Sequence, residues 1–295
     1  MRYLLWPTLP ILLLLAAPGC GEKGGEADER PLSVLTFNVM CSFCPSPGLD
    51  DWQTRLPHLH EAIDRFDADL IGLQELFTEE DVDLFLDALP GHDAFYYVDP
   101  DPGSAPLAAS PDATVFWRRD RFRRVDAGVY WLSPTPDEAW SGGFADNQIW
   151  RLLTWVELEQ LTDGRHLLFA TTHFDNNSPS QERSAPVVVE RTGGRLAELP
   201  VILTGDFNSQ PADEAFQILD GTFDETHALA AERTQLTTED PPPPWDPANR
   251  IDHLFVDPAR HEVLEHIVDL SRYADPPRFP SDHWPVGARL TWPAG

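Results

Sequence analysis

Acidic, amide and imidazole side chains recur where apolar segments of this chain end. Asp206 and Asn208 follow the apolar run VILTG, and His173 follows HLLFATT. Residues i and i+2 of a strand share a face, so Asp206 and Asn208 project together if the strand continues that far. The simpler alternative is a strand that ends in a turn, since Gly, Asp, Asn, Ser and Pro are common turn residues.

The same arrangement recurs along the chain. Polar residues at or beside the ends of apolar segments are Asn38, Glu75, His173, Asp206, Asn208, Asp252, Asp282 and His283. Taken singly, each has a structural explanation, such as a turn cap or a buried histidine. If packed sheets gather these ends in one cleft, the carboxylates repel one another and raise each other's pKa unless a cation binds. Oxygen ligands favour a hard divalent cation such as magnesium, manganese or calcium over zinc.

The segments that carry these residues have the patterns of strands and helices. Strands are predicted at 32–39, 68–75, 165–175, 201–206, 251–256 and 284–292, with a further series between 93 and 160. Helices are predicted around Leu56, Leu59, Ile63 and Phe66, at 79–89 and near 212–219. A weaker helix at 180–198 is interrupted by Pro186 and by the pair Gly193 and Gly194. Without an internal repeat or linker after residue 31, one domain over residues 32–295 is expected.

Composition and charge limit the partners of this domain. The chain has 295 residues and is 42% hydrophobic, which is enough for a substantial core. Its formal net charge is −28, and such a surface repels polyanions. General binding to duplex nucleic acid is therefore not expected, whereas a small or locally bound phosphate ester is compatible with this charge. We expect a monomer.

The N-terminus has the composition of an export signal. The segment MRYLLWPTLPILLLLAAPGC combines one basic residue with an apolar stretch too short for a comfortable membrane span. Residues 1–19 are therefore predicted to be a signal peptide, and AAPGC resembles a bacterial lipoprotein signal in which Cys20 is lipidated. Ala17 stands where leucine is more usual, and plain secretion is the alternative. Residues 20–31 have the composition of a flexible tether, which predicts an exported protein with a membrane lipid anchor.

The remaining cysteines, Cys41 and Cys44, form the sequence CSFC. In an exported protein the pair predicts either a small structural disulfide or two unpaired thiols. A zinc site would need two further ligands, which are not found nearby.

The polar strand ends stand in the segments TFNV, LQE, TTHFD, LTGDFN, RIDHLFV and SDHWPV. Their order resembles that of the endonuclease/exonuclease/phosphatase superfamily, which has the DNase I-like fold. The resemblance implies a four-layer α/β/β/α sandwich with two packed mixed β-sheets and helices outside. It also implies a phosphodiester or phosphomonoester hydrolase in which Mg²⁺ or Mn²⁺ activates the attacking water.

The resemblance also implies roles for the metal-binding end of the cleft. Glu75 is expected to be the principal metal ligand, assisted by Asn38 and Asp282. Asp206 is expected to position or deprotonate the attacking water. The choice of the water-activating group between Asp206 and His283 remains open.

The remaining roles concern the phosphate. Asn208 and His173 are expected to donate hydrogen bonds to its nonbridging oxygens, where negative charge grows in the transition state. Asp252 and His283 are expected to form a carboxylate–imidazole pair, in which the acid fixes the tautomer of the ring. His283 then serves as general base or as a donor to the phosphate.

Basic residues offer weaker candidates for substrate contacts. Arg183 and Arg151 could reach a phosphate, although Arg151 has the alternative of an exposed strand residue. Asn176 stands where many relatives of the most similar branch carry another histidine, which is a departure from the family pattern beside the expected substrate contacts. The basic segment RRDRFRR at 118–124 is interpreted as a solvated hairpin turn, with a polyanion or lipid headgroup site as the alternative.

The sequence leaves the substrate and two other classes of protein open. Nuclease, phospholipase-like and small-molecule phosphatase activities are not separable. A non-catalytic binding or scaffold lipoprotein on the same fold would be expected to lack some of the site residues, yet all of those named above are present. A surface lipoprotein on an unrelated fold is the third class, and a circular-dichroism spectrum dominated by helix would favour it.

Overall fold

A computed structural model describes residues 30–44, 47–98, 112–141, 143–144, 150–257 and 259–292. The predicted signal peptide, Cys20 and nearly all of the predicted tether lie outside these residues. Two mixed β-sheets pack face to face, and the helices cover their outer faces. This arrangement confirms the predicted four-layer α/β/β/α sandwich. No helix in the described part of the chain has the length and apolarity needed to span a membrane.

The first sheet has seven strands in the order β10-β12-β13-β1-β2-β4-β3. Its strands are β1 Leu32–Asn38, β2 Leu70–Gln74, β3 His92–Phe95, β4 Ala113–Arg118, β10 Glu232–Leu236, β12 Val263–Asp269 and β13 Val286–Leu290. β1 pairs in parallel with β2 and antiparallel with β13. The sequence did not predict β10 or β12, whose alternation of polar and apolar residues is weak.

The second sheet has six strands in the order β5-β6-β7-β8-β11-β9. Its strands are β5 Phe122–Trp131, β6 Leu152–Gln160, β7 His166–His173, β8 Val201–Asp206, β9 Asp224–Glu225 and β11 Asp252–Val256. β7 and β8 are parallel, and β11 runs antiparallel to β8. Val34, Phe169 and Ile202 belong to the fully buried core between the sheets. The close approach of the sheets requires glycine at position 72, because a Cβ there would lie 2.4 Å from Thr204 Oγ1.

The helices bury apolar faces on the outside of each sheet. They are α1 Trp52–Asp64, α2 Glu79–Ala88, α3 Ser180–Val188, α4 Glu214–Asp220 and α5 Thr226–Leu229. Helices α1 and α2 pack on the first sheet, and α3 and α4 pack on the second. The expected break at Pro186 is wrong, because α3 continues through this residue and ends in a π-helical turn at Val189–Gly193.

The basic segment 118–124 joins β4 of the first sheet to β5 of the second. Its interpretation as a hairpin turn is therefore wrong, because the two strands do not pair with each other. Arg118 pairs with Asp67, and the buried Arg121 pairs with Asp69. Arg121 also donates to the carbonyl of Pro31, just before β1, whereas the polar residue Asn38 lies at the other end of that strand. The segment thus lies away from the cleft described below.

Candidate active site

The pairing of strands in the second sheet brings three of the predicted residues into one row. His173 ends β7 opposite Asp206 at the end of β8, and Asp206 lies opposite Asp252 at the start of β11. All three residues are at most 7% exposed. The parallel pair β7 and β8 end at the same edge, and the antiparallel β11 begins there, so the register alone places these residues together.

Asn38 joins this row to the first sheet. Its Nδ2 atom donates to Glu75 Oε1 and to Asp206 Oδ2, in both cases at 3.0 Å. Its Oδ1 atom accepts a hydrogen bond from the backbone N–H of Met40 at 3.0 Å. A single carboxamide therefore holds two carboxylates from different sheets close together, which is costly without a neutralising cation.

Glu75 has a backbone conformation that few residues with a side chain adopt. Its φ is 69°, and its N–H donates to the carbonyl of Asp112 at 2.8 Å. The N–H of Cys41 donates to Glu75 Oε2 at 2.9 Å, and Cys41 is held by a disulfide to Cys44. The structure thereby decides between the two predictions for this cysteine pair. The strained backbone at Glu75 and the loop closed by the Cys41–Cys44 disulfide together fix the direction of the Glu75 carboxylate.

His283 forms the predicted pair with Asp252. Its Nδ1 atom lies 2.8 Å from Asp252 Oδ2, and its Nε2 atom lies 3.6 Å from Asp206 Oδ2. Burial lowers the pKa of His283, but Asp252 and Asp206 together raise it well above its ordinary value. The ring is therefore held as an imidazolium between two carboxylates in the absence of other ions. Burial raises the pKa of Asp252, although His283 acts in the opposite direction.

Ser281 fixes the segment that carries His283. Its hydroxyl donates to the carbonyl of Asn38 at 2.7 Å and accepts from the backbone N–H of His283 at 3.2 Å. This bond ties the C-terminal loop to the end of β1. The side chain of Asp282 is exposed at the mouth of the cleft.

A buried pair that the sequence did not predict holds His173. Asp112 lies 3.0 Å from His173 Nδ1 and accepts a hydrogen bond from Arg151, while His173 Nε2 lies 3.3 Å from Asp206 Oδ2. Burial and Arg151 lower the pKa of His173, but Asp112 and Asp206 raise it to about 9. Burial raises the pKa of Asp206, yet His283 and His173 lower it well below its ordinary value.

The position of Arg151 corrects one inference from the sequence. It is 5% exposed, so it is not an exposed strand residue. Its guanidinium donates to Asp112 and lies 2.8 Å from His173 Nδ1, so the cleft contains a buried cationic side chain. Asp112 directly precedes β4, and its position before an apolar run is the one signal that would have identified it.

Asn208 and Arg183 lie at the α3 side of the cleft. Asn208 has a φ of 48° and donates from Nδ2 to the carbonyl of Phe174 at 3.0 Å. Its own carbonyl accepts from Gln181 Nε2 at 2.8 Å, which ties α3 to the turn after β8. Arg183 is exposed in the first turn of α3. The backbone N–H of Asn208 donates to Asp206 Oδ1 at 2.9 Å, so this turn also orients the central carboxylate.

The chemistry of these donors fits a hard divalent cation. Glu75 and Asp206 are bridged by one carboxamide, and Asp206 and Asp252 offer carboxylate oxygens that lie within 4.8 Å of each other. Asp252 Oδ1 is buried without a hydrogen-bond partner among the described residues. Such oxygen-rich clusters suit magnesium or manganese better than zinc.

Comparison with known proteins places the chain in a family. The model of the endonuclease/exonuclease/phosphatase family matches residues 35–283, which include every polar strand end described above. The chain belongs to this family. Family members and the most similar solved structures include phosphoric ester hydrolases, and the family generally depends on divalent metals.

Relatives of this family support the fold over most of the chain. An endonuclease/exonuclease/phosphatase family protein from Bacteroides thetaiotaomicron is 28% identical with a TM-score of 0.76, and the match covers 90% of this chain and 99% of that one. A mannosyl-6-phosphatase from the same organism is 29% identical with a TM-score of 0.75, covering 88% and 100% respectively. The CCR4-NOT transcription complex subunit 6-like-B of Xenopus laevis is 39% identical over 86 residues, or 25% of this chain and 16% of that protein.

Proposed function

We propose that this protein is a divalent-metal-dependent phosphoesterase that acts outside the cytoplasm. The observation that carries the proposal is the convergence of Asn38, His173 and His283 on Oδ2 of Asp206, beside Glu75. During ester hydrolysis negative charge grows on the nonbridging oxygens of the phosphate. Imidazolium and amide N–H groups directed at one point stabilise that charge, and the carboxylates hold the cation that the reaction needs.

The cation would be held at the Glu75 end of the cleft. Glu75 and Asp282 would hold Mg²⁺ or Mn²⁺, because each offers a hard carboxylate oxygen at the cleft mouth or edge, and Asn38 would assist by fixing the Glu75 carboxylate through Nδ2. A bound ion supplies Lewis acidity toward the phosphate oxygens. Arg55 stabilises this end, since its guanidinium donates to the carbonyl of Val39 at 3.0 Å and to that of Pro280 at 2.7 Å.

The other residues of the site bind the phosphate and orient the attacking water. Protonated His173 and His283, with the amide of Asn208, donate hydrogen bonds to the nonbridging oxygens. Asp206 orients the attacking water rather than acting as a strong base, because a carboxylate with a lowered pKa takes up a proton poorly. Water adds to phosphorus as the bond from phosphorus to the ester oxygen breaks, and the proton that the water gives up reaches the leaving oxygen, giving a phosphate and an alcohol.

Asp112 and Arg151 act through His173. Asp112 keeps the ring protonated and fixes its orientation, while Arg151 keeps Asp112 ionised in a buried position. In the active-site cleft Arg151 is thus a positioning residue rather than a substrate ligand. Arg183, exposed in the first turn of α3, would contact the outer part of the substrate.

The similarity to the mannosyl-6-phosphatase favours a phosphomonoester over a phosphodiester as the substrate. The acidic surface also argues against long nucleic acids. We further propose that the protein is exported and anchored through Cys20, which rests on the composition of residues 1–20. Metabolic labelling with a radioactive fatty acid tests the anchor, and Cys20→Ser should abolish the label.

Hydrolysis of p-nitrophenyl phosphate and bis-p-nitrophenyl phosphate with Mg²⁺ or Mn²⁺ tests the activity. We expect EDTA to abolish turnover, and Glu75→Gln and His283→Asn each to lower kcat by about 100-fold or more. Glu61→Gln, at an exposed position on α1, is the matched control and should retain wild-type rates. Metal binding without turnover of either ester would support the scaffold alternative. Equal rates in the wild type and both site variants would contradict the proposed site.

A further inference from the structure

A cavity of about 530 Å³ opens directly beside His283 and Asp252. This volume lies within the range of about 300–1,000 Å³ that is typical of small-molecule sites. The mechanism above uses the polar edge of the cavity but not its interior. A phosphate bound at His283 would direct its ester oxygen, and whatever that oxygen carries, toward this space.

Two tryptophans form walls of the cavity. Trp245 and Trp284 line it, and both pack with part of their surface against the core between the sheets. The ring of Trp284 meets that of Phe279 edge to face at 4.0 Å, which fixes its orientation. Aromatic faces are electron-rich and attract the C–H groups of a ring that packs on them.

His266 contributes a buried polar atom with no partner. It lines the cavity and is 2% exposed, and its Nδ1 atom lies 3.0 Å from Thr226 Oγ1. Its Nε2 atom has no hydrogen-bond partner among the described residues. Burial lowers the pKa of His266 to about 3, so the ring is neutral and offers one hydrogen bond to an uncharged group.

The other polar groups of the cavity favour hydroxyl donors over anions. Arg250 lines the cavity, but Nε and Nη2 are bound to Glu225 at 2.8 and 2.7 Å, and Nη1 donates to the carbonyl of Pro247. Arg250 therefore does not offer a pair of parallel N–H donors to a second phosphate. Asp246 and Asp282 add carboxylate oxygens, which accept hydrogen bonds and repel anions.

We propose that this cavity binds the sugar ring of a sugar phosphate, with Trp245 and Trp284 packing on the ring and His266 binding one hydroxyl. The inference rests on the proposed phosphoesterase and names its substrate class. A sugar ring presents hydroxyl donors around its whole edge and C–H groups on its faces, which matches carboxylate acceptors between aromatic walls. A nucleobase presents fewer donors and leaves more of these acceptors unpaired. Hydrolysis then breaks the bond from phosphorus to the sugar oxygen, that oxygen takes a proton, and phosphate and the free sugar leave.

The test compares substrates that fill the cavity with one that does not. Glucose 6-phosphate and mannose 6-phosphate carry a sugar ring, AMP carries a nucleobase, and methyl phosphate carries no ring that could pack on the tryptophans. We expect kcat/KM for at least one hexose phosphate to exceed that for methyl phosphate and for AMP by 10-fold or more. Trp245→Ala and His266→Phe should each lower the ratio of hexose phosphate to methyl phosphate by about 10-fold.

Trp292→Ala is the matched control, because Trp292 is half-buried and packs beside Phe122 rather than in the cavity. It should leave the ratio unchanged. A preference for AMP, or a ratio unaffected by both cavity variants, would overturn the inference. Circular dichroism of each variant checks that the fold is intact. If His266→Phe does not fold, the ratio measured for Trp245→Ala alone decides the test.

A binding measurement separates this inference from the proposed activity. Tryptophan fluorescence is titrated with the hexose phosphates in EDTA, where turnover is absent. If the wild type hydrolyses methyl phosphate and p-nitrophenyl phosphate with metal but shows no saturable change with any hexose phosphate, the cavity inference fails alone. If no ester is hydrolysed, the proposed function fails. Saturable binding that Trp245→Ala abolishes would then still support the sugar site.

Discussion

Replacing Asp112 with asparagine tests how the His173 end of the site is held. Asp112 is 1% exposed and binds both Arg151 and His173. Burial raises the pKa of its carboxyl, but Arg151 and His173 lower it by more, from 3.8 to about 2. This difference corresponds to about 2 kcal/mol of unfolding free energy at pH 7. Asparagine keeps the shape of the side chain but leaves two buried cationic groups without their anion, so the loss could reach about 5 kcal/mol.

The effect of Asp112→Asn depends on pH in a defined direction. Because the folded-state pKa lies below the unfolded one, the ionised carboxylate stabilises the fold above about pH 4. This contribution disappears as the pH falls through the folded-state value of about 2. The difference in unfolding free energy between wild type and Asp112→Asn should therefore be largest near pH 7 and smaller by about 1 kcal/mol at pH 3.

Urea unfolding followed by circular dichroism at pH 7 and pH 3 measures this difference. Asp120→Asn, which changes an exposed aspartate in the segment after β4, is the control and should stay within about 0.5 kcal/mol of wild type. The same preparation of Asp112→Asn should also show kcat lowered by about 10-fold or more, because His173 loses its orienting partner. A difference below about 0.5 kcal/mol at pH 7, or one that grows toward pH 3, would refute the assigned role of Asp112.

Three further predictions concern the frame of the site. Gly72→Ala should lower the free energy of unfolding by about 2 kcal/mol in urea titrations, because its Cβ would lie 2.4 Å from Thr204 Oγ1, whereas Gly91→Ala, with open space around it, should not. Arg55→Lys should raise the Mg²⁺ concentration for half-maximal activity by about 10-fold, because an ammonium group cannot bridge the carbonyls that hold this end; an unchanged metal dependence would contradict this role. Reduction of the disulfide at Cys41 should likewise raise the Mg²⁺ requirement, since the Cys41 N–H holds Glu75, and reoxidation should restore it.

The sequence predicted the layers of the fold and the residues at the strand ends. Buried strands such as β1 and β8 have continuous apolar patterns, and each ends in a polar residue that register then places in the cleft. Their convergence follows from strand direction, because β7 and β8 are parallel and end at the same edge.

Other features depend on tertiary contacts that no local pattern shows. β12 is a strand because it pairs with β13, and β10 is one because it pairs with β12, although their own sequences alternate weakly. Asp112 and Arg151 find each other across two sheets, so neither the pairing nor the burial of Arg151 could be inferred from a single segment. The cavity likewise arises from loops distant in sequence, and the unpaired nitrogen of His266 becomes informative only once its surroundings are known.

We propose that one divalent cation lies between Glu75 and the row formed by His173, Asp206 and Asp252. Anomalous diffraction from crystals soaked in Mn²⁺ tests this claim most directly. We predict one dominant anomalous peak within about 2.0–2.6 Å of a Glu75 carboxylate oxygen, on the side that faces Asp206. A dominant peak elsewhere, or none at a Mn²⁺ concentration that supports turnover, would contradict the account.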